Sequence, residues 1–582
     1  MRTFVEVLRD NAVYREHAHT FVRMDGTERV VSYPELWCTA VQRACRLREL
    51  GLQKGDRLAI ILPEPDDFVL AFVGAITAGV VPVPMYPPLT LAKMEAYGET
   101  VRHILDASGA NVLVTVPGLA SMLSKHLGKT DLRVLVASDL EGPLPDRLEP
   151  PCQVGLDDLA FLQFTSGSTR KPKGVMVTHR NLSANAHAIM FDGLRATPQD
   201  RGVSWLPLFH DMGLIGFVIA PLYALVQVMF LPTMNFIRRP SVWLDAIHRF
   251  RGTITFAPNF AFALATRAIR DSQLGDWDLS CLKAVGCGAE PIQIEVLRAF
   301  VDRFAPCGLK PEALLPCYGL AEATLAVSFI GLDQQVKIDR VDADAMKCGR
   351  ATPVYNGHAS LELVSVGRPF RGHELSIVDE DGKELPERVV GHVLLRGPSV
   401  TRGYFDQPED SAEVFHDGWL RTGDLGYLAD GELYICGRAK DLIIINGKNY
   451  YPQDIERIAS EVHGIRQDQC VAISRPGKDG TEECVLIAES VSVSRVGPQG
   501  ALPGDNDADT ITSAIKNRVR RELGITVGEV VLIKRNSMPK TSSGKVRRSE
   551  AAARLESATL ELFERPPRRR SIPAPRPSAP AL

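Results

Sequence analysis

The chain has 582 residues, enough for two to four domains at roughly 150 residues each. Hydrophobic residues make up 45% and charged residues 24%, which excludes a wholly disordered chain, a collagen-like chain and a coiled-coil rod. Lys and Arg number 67 against 70 Asp and Glu, a formal net charge of -3, so no basic excess points to nucleic acid. The first twenty residues carry charges throughout and lack an apolar run, so no signal peptide is expected. The 11 cysteines are scattered, with no C-x-x-C pair, which suits a reducing, cytoplasmic location with thiols acting as small core residues.

In chain order, DRLAIIL (56–62) reads as a strand, Asp66 to about Ala78 as an amphipathic helix and VVPVPM (80–85) as extended chain stopped by Pro87 and Pro88. NVLVTV, RVLVAS, FLQF, GTITF, LKAVG and ALLPCYG repeat the strand theme with helical segments between. Alternation of this kind predicts layered α/β architecture with largely parallel sheets. Residues 213–232 (GLIGFVIAPLYALVQVMFLP) are uncharged and long enough to span a bilayer. Turn residues inside the run favour a buried helix and strand broken at Pro221, with Gln227 needing a partner, and no stable membrane insertion is expected. After about residue 360 the strands read as antiparallel, with Asp-Gly turns at 381–382 and 430–431. From Arg438 a smaller unit follows: a strand (LIIIN), a helix near 453–462, strands CVAIS and ECVLIAES, and a helix near 510–523 stopped by Gly524. Residues 493–509 form a Gly/Pro/Asp loop, and 565–582 a Pro/Arg-rich tail expected to be disordered.

Directly after the strand FLQF comes T-S-G-S-T-R-K-P-K-G (165–174). Four hydroxyl side chains, two glycines and three basic residues fall within ten positions. Such a loop presents backbone N–H groups, hydroxyls and a cation to phosphate oxygens. It lacks the G-x-x-x-x-G-K-[ST] pattern of a Walker A loop.

This loop resembles the phosphate-binding signature of the adenylate-forming superfamily of acyl-CoA synthetases, luciferases and peptide-synthetase adenylation domains. Six more motifs follow in the expected order: LPLFHDMG (206–213), CGAEPI (287–292), YGLAEAT (318–324), WLRTGDLG (419–426), GRAKDLIIINGKNYYPQDIE (437–456) and MPKTSSGK (538–545). Arg170, the phrasing of HDMG, AEAT and NYYPQDIE, and the segment 332–367 resemble the fatty acyl-AMP ligase branch. The implied fold is a large N-terminal adenylation domain (1–437) of layered α/β subdomains plus a small β-barrel-like subdomain. A smaller mobile α+β C-terminal domain (438–564) follows.

The resemblance implies ATP and Mg²⁺ as cofactors. It implies that Thr165, Ser166, Gly167, Ser168 and Thr169 bind the β- and γ-phosphates, with Lys173 nearby. Glu322 is implied as the Mg²⁺ ligand, since a hard cation takes carboxylate, phosphate and water oxygens. Gly288, Ala289 and Glu290 would lie along adenine with Tyr318 stacking opposite, in a motif that includes Gly319 and Ala321. Asp424 would accept from both ribose hydroxyls, Arg438 would reach ribose or phosphate, and His210 would stand beside the acyl carboxylate or orient Asp211. Lys545, on a Ser/Gly loop, would deliver an ammonium to the oxygen bridging carboxylate and α-phosphate. Lys440 stands at the hinge position.

The implied reaction joins a medium- or long-chain fatty acid to AMP with release of pyrophosphate. Acyl-CoA synthetases commonly carry a Lys in the strand after the hinge, where this chain has Ile444. That departure points to transfer onto the phosphopantetheine of an acyl carrier protein, or of a carrier domain of a polyketide or peptide synthase, in trans. The alternatives are a CoA-using fatty acyl-CoA synthetase, an amino-acid adenylation domain, an inactive adenylate-binding regulator and a structural membrane protein.

Overall fold

The structure is a computed structural model. It describes residues 1–88, 94–127, 131–165, 172–332, 334–354, 360–445, 448–476, 482–491, 508–541 and 545–563. The tail at 565–582, most of the loop at 493–509, and the phosphate-loop residues Ser166, Gly167, Ser168, Thr169 and Arg170 lie outside the described residues. The chain divides into two compact units, Met1–Lys440 with Thr541–Lys545, and Asp441–Lys540 with Val546–Leu582.

The first unit is built on a nine-stranded sheet. Its middle is parallel and runs Leu314–Gly319, Ala284–Cys287, Ile254–Ala257, Arg201–Ser204, Gln227–Phe230, Ala18–Val22. Antiparallel strands close both ends, Ala326–Phe329 and then Arg368–Pro369 at one, Glu28–Ser32 at the other. Parallel strands must be joined by crossovers, so the segments that leave their C-terminal ends gather along one edge. Cys287 pairs with Pro316 and Ala257 with Cys287, which aligns three of those ends. The core behind them is aromatic: Trp205 stacks on Phe236 at 3.8 Å between centroids, and Trp243 meets Phe262 and Phe300.

A second, four-stranded parallel sheet runs Val81–Pro84, Arg57–Ile60, Val112–Thr115, Arg133–Val136. The helix Pro65–Thr77 feeds it and is buried along nearly its whole length, as its almost continuous apolar sequence requires. Leu159–Phe164 and Gly174–Thr178 form an antiparallel hairpin. Beyond residue 370 an antiparallel five-stranded sheet joins Glu374–Val378, Gly391–Arg396, Phe415–His416, Trp419–Ala429 and Glu432–Arg438. The last two strands turn at Asp430 and Gly431, both with positive φ (53° and 72°), which is the geometry an Asp-Gly hairpin turn needs.

Within 332–367, Ile338–Asp342 pairs with Ser360–Val364 around the short helix Ala343–Lys347. Asp339 Oδ2 accepts from Arg388 at 2.9 Å and from the Tyr427 hydroxyl at 2.8 Å, and Glu432 pairs with Lys337 and accepts from Ser365. These contacts seat the segment on the antiparallel sheet.

Residues 213–232 differ from the sequence expectation in one respect. Pro221 does not break the helix. A π-helical turn, Leu214–Ile219, runs straight into Ala220–Tyr223, where Pro221 occupies the second position and needs no amide hydrogen. The strand Gln227–Phe230 follows, and Gln227 Oε1 accepts the Ala18 N–H at 3.2 Å. Among the described residues no helix is long and apolar enough to cross a membrane. All eleven cysteines are free thiols, five of them buried.

The second unit has a three-stranded sheet, Ile465–Pro476, Glu482–Ser490 and Val527–Ile533, and a short hairpin, Ile443–Ile445 with Lys448–Tyr450. The helices are Pro452–Ser460, Ala508–Leu523 and Arg548–Glu556. Arg548 ties three of its segments, bonding Asp441 at 2.9 Å, Glu456 at 2.6 Å and the Ala472 carbonyl at 3.1 Å.

Candidate active site

The strands Leu159–Phe164 and Gly174–Thr178 of the hairpin flank the segment that the motif marks as the phosphate loop. Thr165 N–H donates to the Lys173 carbonyl at 3.0 Å, which closes the stem just where the loop begins. Pro172 is held from the side, its carbonyl 2.9 Å from His103 Nε2. Lys173 Nζ lies 2.7 Å from Asp410 Oδ1 and 4.9 Å from the centroid of the Tyr404 ring.

Glu322 sits in a single 3₁₀ turn, Ala321–Ala323, after the strand Leu314–Gly319. The chain then reverses at Thr324, whose φ of 70° and ψ of −65° make a γ-turn of the rare positive-φ kind. Leu325 N–H donates to the Ala323 carbonyl across it at 2.9 Å. Such backbone is strained by about 1–3 kcal/mol and persists only where its surroundings hold it. Here Thr324 Oγ1 donates to the Ser399 carbonyl at 2.6 Å, Thr401 N–H donates to the Glu322 carbonyl at 2.9 Å, and buried Asn185 donates to the Ala326 carbonyl at 2.8 Å. Gly319 is required at the base: a Cβ there would stand 2.0 Å from the Leu325 carbonyl oxygen. The Glu322 carboxylate receives the Tyr404 hydroxyl on Oε1 at 2.8 Å, and its other oxygen has no hydrogen-bond partner among the described residues.

Gly288, Ala289 and Glu290 leave the end of Ala284–Cys287. Gly288 is pressed against the neighbouring strand, where a Cβ would meet Cys317 Sγ at 2.6 Å and the Cys317 carbonyl oxygen at 2.8 Å. Ala289 has a φ of 71°, unusual for alanine. Glu290 reaches back to the start of the preceding helix Asn259–Ala268, its Oε1 accepting the Phe260 N–H at 2.7 Å.

Tyr318 and Asp424 are brought together. The Tyr318 hydroxyl donates to Asp424 Oδ2 at 2.6 Å, and Arg438 Nε lies 3.1 Å from Oδ1. Asp424 faces Arg438 across the strand pair, one residue before the bulge at Leu425/Gly426, and a bulge of this kind re-aims side chains. Burial, with the Asp424 charge beside it, pushes the Tyr318 hydroxyl well above its ordinary range, so it remains a donor. An ionised carboxylate has about four lone-pair sites, so two remain for a diol.

His210 opens the short helix Asp211–Gly213, and its Nδ1 lies 2.6 Å from Asp211 Oδ1. The strand carrying the phosphate loop meets the same segment, since Gln163 Nε2 donates to the Phe209 carbonyl at 3.0 Å. Burial raises the Asp211 carboxyl, but His210 and Lys545 outweigh it and hold the group below the usual carboxylate range. Lys545, which groups with the first unit, is half-buried. Burial lowers its ammonium while Glu290 and Asp211 act to keep it charged. Thr541 grips its backbone on both sides, Oγ1 accepting the Lys545 N–H at 3.0 Å and N–H donating to the Lys545 carbonyl at 2.7 Å. Lys440 ends the first unit, in the 3₁₀ turn Ala439–Asp441.

Tyr404, Asp410 and Asn185 lie outside the motifs, and Thr324 ends the motif YGLAEAT without having been given a role there. Tyr404 lies 82 positions from Glu322, and no local spacing signals their contact.

Among the described residues no group of three or more His, Cys, Asp or Glu side chains is placed to hold a metal by itself. A half-buried carboxylate with one oxygen free fits a hard cation that brings phosphate and water oxygens with it.

The Glu322 turn, the Gly288–Glu290 stretch and the Tyr318–Asp424–Arg438 cluster lie around the ends of Ala284–Cys287 and Leu314–Gly319 in the first unit. The AMP-binding enzyme model matches residues 8–405, and the chain belongs to that family of adenylate-forming ligases. It is 35% identical over 563 residues to the long-chain-fatty-acid--AMP ligase FadD26 of Mycobacterium tuberculosis, covering 93% of this chain and 94% of that one. A Caulobacter vibrioides protein provisionally named an acyl-CoA synthetase is 37% identical over 525 residues, covering 89% of each. A solved structure from work on fatty acyl-adenylate ligases of E. coli and L. pneumophila superposes with a TM-score of 0.88 at 35% identity, covering 96% of this chain and 98% of that one.

Proposed function

We propose that the protein is a fatty acyl-AMP ligase that condenses a fatty acid with ATP, releases pyrophosphate and passes the acyl group to a carrier-protein thiol. The observation that carries the reading is the gathering of the Glu322 turn, the Gly288–Glu290 stretch and the Tyr318–Asp424–Arg438 cluster around the ends of the parallel strands.

A carboxylate is a weak nucleophile and ATP is a polyanion, so the chemistry needs positioning and charge neutralisation more than a general base. Asp424 would hold the ribose and Arg438 would steady it. Thr165 and Lys173 would bind the outer phosphates with Ser166, Gly167, Ser168 and Thr169. Glu322 would hold Mg²⁺, which supplies neutralisation of phosphate charge when bound. His210 would position the acyl carboxylate, and Lys545 would stabilise charge on the oxygen that links the acyl group to the α-phosphate. Lys440 would serve as the hinge.

Two features support a carrier over free CoA. Ile444 replaces the Lys common in acyl-CoA synthetases and is 46% exposed, and the 332–367 segment is seated as described above. The provisional name of the Caulobacter relative favours the CoA reading. A panel of fatty acids with MgATP, run in parallel with CoA and with a pantetheinylated carrier protein, separates them. We expect pyrophosphate and acyl-AMP with every productive acid, acyl-carrier when carrier is present, and negligible acyl-CoA. Abundant acyl-CoA would replace the carrier reading, and absence of pyrophosphate with all acids would reject the function.

A further inference from the structure

Lys173 and Glu322 both touch one side chain. Tyr404 is 8% exposed and lies between the strand Gly391–Arg396 and the helix Pro408–Val414. Its hydroxyl donates to Glu322 Oε1 at 2.8 Å, and its ring lies under the Lys173 ammonium, 4.9 Å from the centroid. The ring has little room to move. Tyr404 N–H donates to Ser411 Oγ at 2.8 Å. Met176 N–H donates to the Gly403 carbonyl at 3.1 Å, and Phe405 N–H to the Gly174 carbonyl at 2.8 Å. The Tyr404 segment is thereby stitched to the strand on which the phosphate loop ends. Asp410 completes the arrangement by pairing with Lys173 at 2.7 Å.

An ammonium and a carboxylate that share a half-buried site attract each other, and a direct pair would neutralise both. Glu322 would then be lost to a counter-cation, and Lys173, already paired with Asp410, would have a second carboxylate to leave for a polyanion. We propose that Tyr404 is a positioning residue that holds Lys173 and Glu322 apart, one on its ring face and one on its hydroxyl. The phenol suits this, because an aromatic face takes a cation while the hydroxyl donates to a carboxylate. Burial and the Glu322 charge keep that hydroxyl protonated. The inference rests on the reading of Lys173 and Glu322 as the polyphosphate and metal groups.

The test uses the full chain and five variants, two of them Lys173→Ala and the double variant Tyr404→Leu/Lys173→Ala. Tyr404→Phe keeps the ring and removes the donor. Tyr404→Leu removes both, and Asp410→Asn releases Lys173. Calorimetric binding of MgATP and of ATP without Mg²⁺ is read beside kcat and KM for fatty-acid-dependent pyrophosphate exchange. We expect Tyr404→Phe to weaken MgATP binding about tenfold, the loss of one hydrogen bond to a charged group. ATP without Mg²⁺ should be affected less, and the KM for the fatty acid should not change. Tyr404→Leu should lose more, and the double variant Tyr404→Leu/Lys173→Ala should lose less than the two single effects combined, because Lys173 is no longer there to capture Glu322. Equal MgATP affinity in wild type and Tyr404→Phe, with unchanged circular dichroism, would overturn the inference and leave the function standing. Failure of the wild type to bind MgATP would instead overturn the function. If Tyr404→Leu does not fold, the Phe variant decides alone.

Discussion

At the scale of single residues, the site is a set of charges that each have a partner waiting. Asp424 holds the Tyr318 hydroxyl on one oxygen and Arg438 on the other. Its replacement by Ala removes that acceptor from both and the acceptor proposed for a ribose. We expect Asp424→Ala to raise the KM for ATP by about tenfold to a hundredfold, since hydrogen bonds to charged groups contribute about 1.5–3 kcal/mol. A KM for ATP equal to wild type would remove the residue from that role. Lys545 differs, because its proposed work is on charge that develops only as the reaction proceeds. Lys545→Ala should retain ATP binding and lower the rate of adenylation by about 10²–10³-fold, the usual scale for one donor at a developing oxyanion. Pyrophosphate release at the wild-type rate would exclude it. These residues were legible because each stands in a motif whose neighbours are local in sequence. Tyr404 was not, because its contact with Glu322 spans 82 positions and depends on where a distant loop is stitched.

At the scale of elements, the turns matter more than the strands they end. Helix and strand positions along the first unit could be read from apolar runs, as in Ile254–Ala257, but Pro65–Thr77, expected to be amphipathic, is buried nearly all round. The γ-turn at Thr324 could not, since nothing in the letters A-E-A-T demands a positive φ. It is imposed by Ser399, Thr401 and Asn185, which arrive from other parts of the fold. Pro221 makes the same point. Its usual reading as a breaker failed because the π-helical turn before it supplies a setting in which its missing amide hydrogen is harmless. The Glu322 turn yields a test. In Gly319→Ala the new Cβ would press on the Leu325 backbone, which cannot swing aside as a side chain can. We expect a loss of about 1–3 kcal/mol and a matching fall in the thermal midpoint. A midpoint equal to wild type would show that the turn is not as tight as drawn.

At the scale of the whole molecule, two buried histidines couple folding to pH. His19 Nδ1 accepts the Val228 N–H at 3.1 Å, and His179 Nδ1 accepts the Phe4 N–H at 3.2 Å, so each must stay neutral on that nitrogen. Burial lowers His19 from 6.5 to about 3 and His179 from 6.5 to about 4. Between those values and 6.5 the unfolded chain takes up protons that the folded chain refuses. The stability contributed by neutral burial is therefore full above pH 6.5 and declines as pH falls toward 4, by up to about 1.4 kcal/mol per pH unit for each histidine. Urea unfolding at pH 7.5 and pH 5.0 reads this directly: the midpoint should fall at the lower pH, and equal midpoints would refute the coupling.

The order of seven motifs, the α/β alternation and the residue types of the phosphate loop were properties of the sequence alone. Each depends on neighbours a few positions apart, where backbone preference and side-chain chemistry act without help from the rest of the chain. Tertiary structure alone decided which of those residues meet. It joined Tyr318 to Asp424 across 106 positions and Lys173 to Asp410, and it forced the backbone of Thr324 and Ala289 into conformations that their own side chains disfavour. Such contacts arise from packing separate sheets and helices of the first unit against one another, and no local signal carries that information.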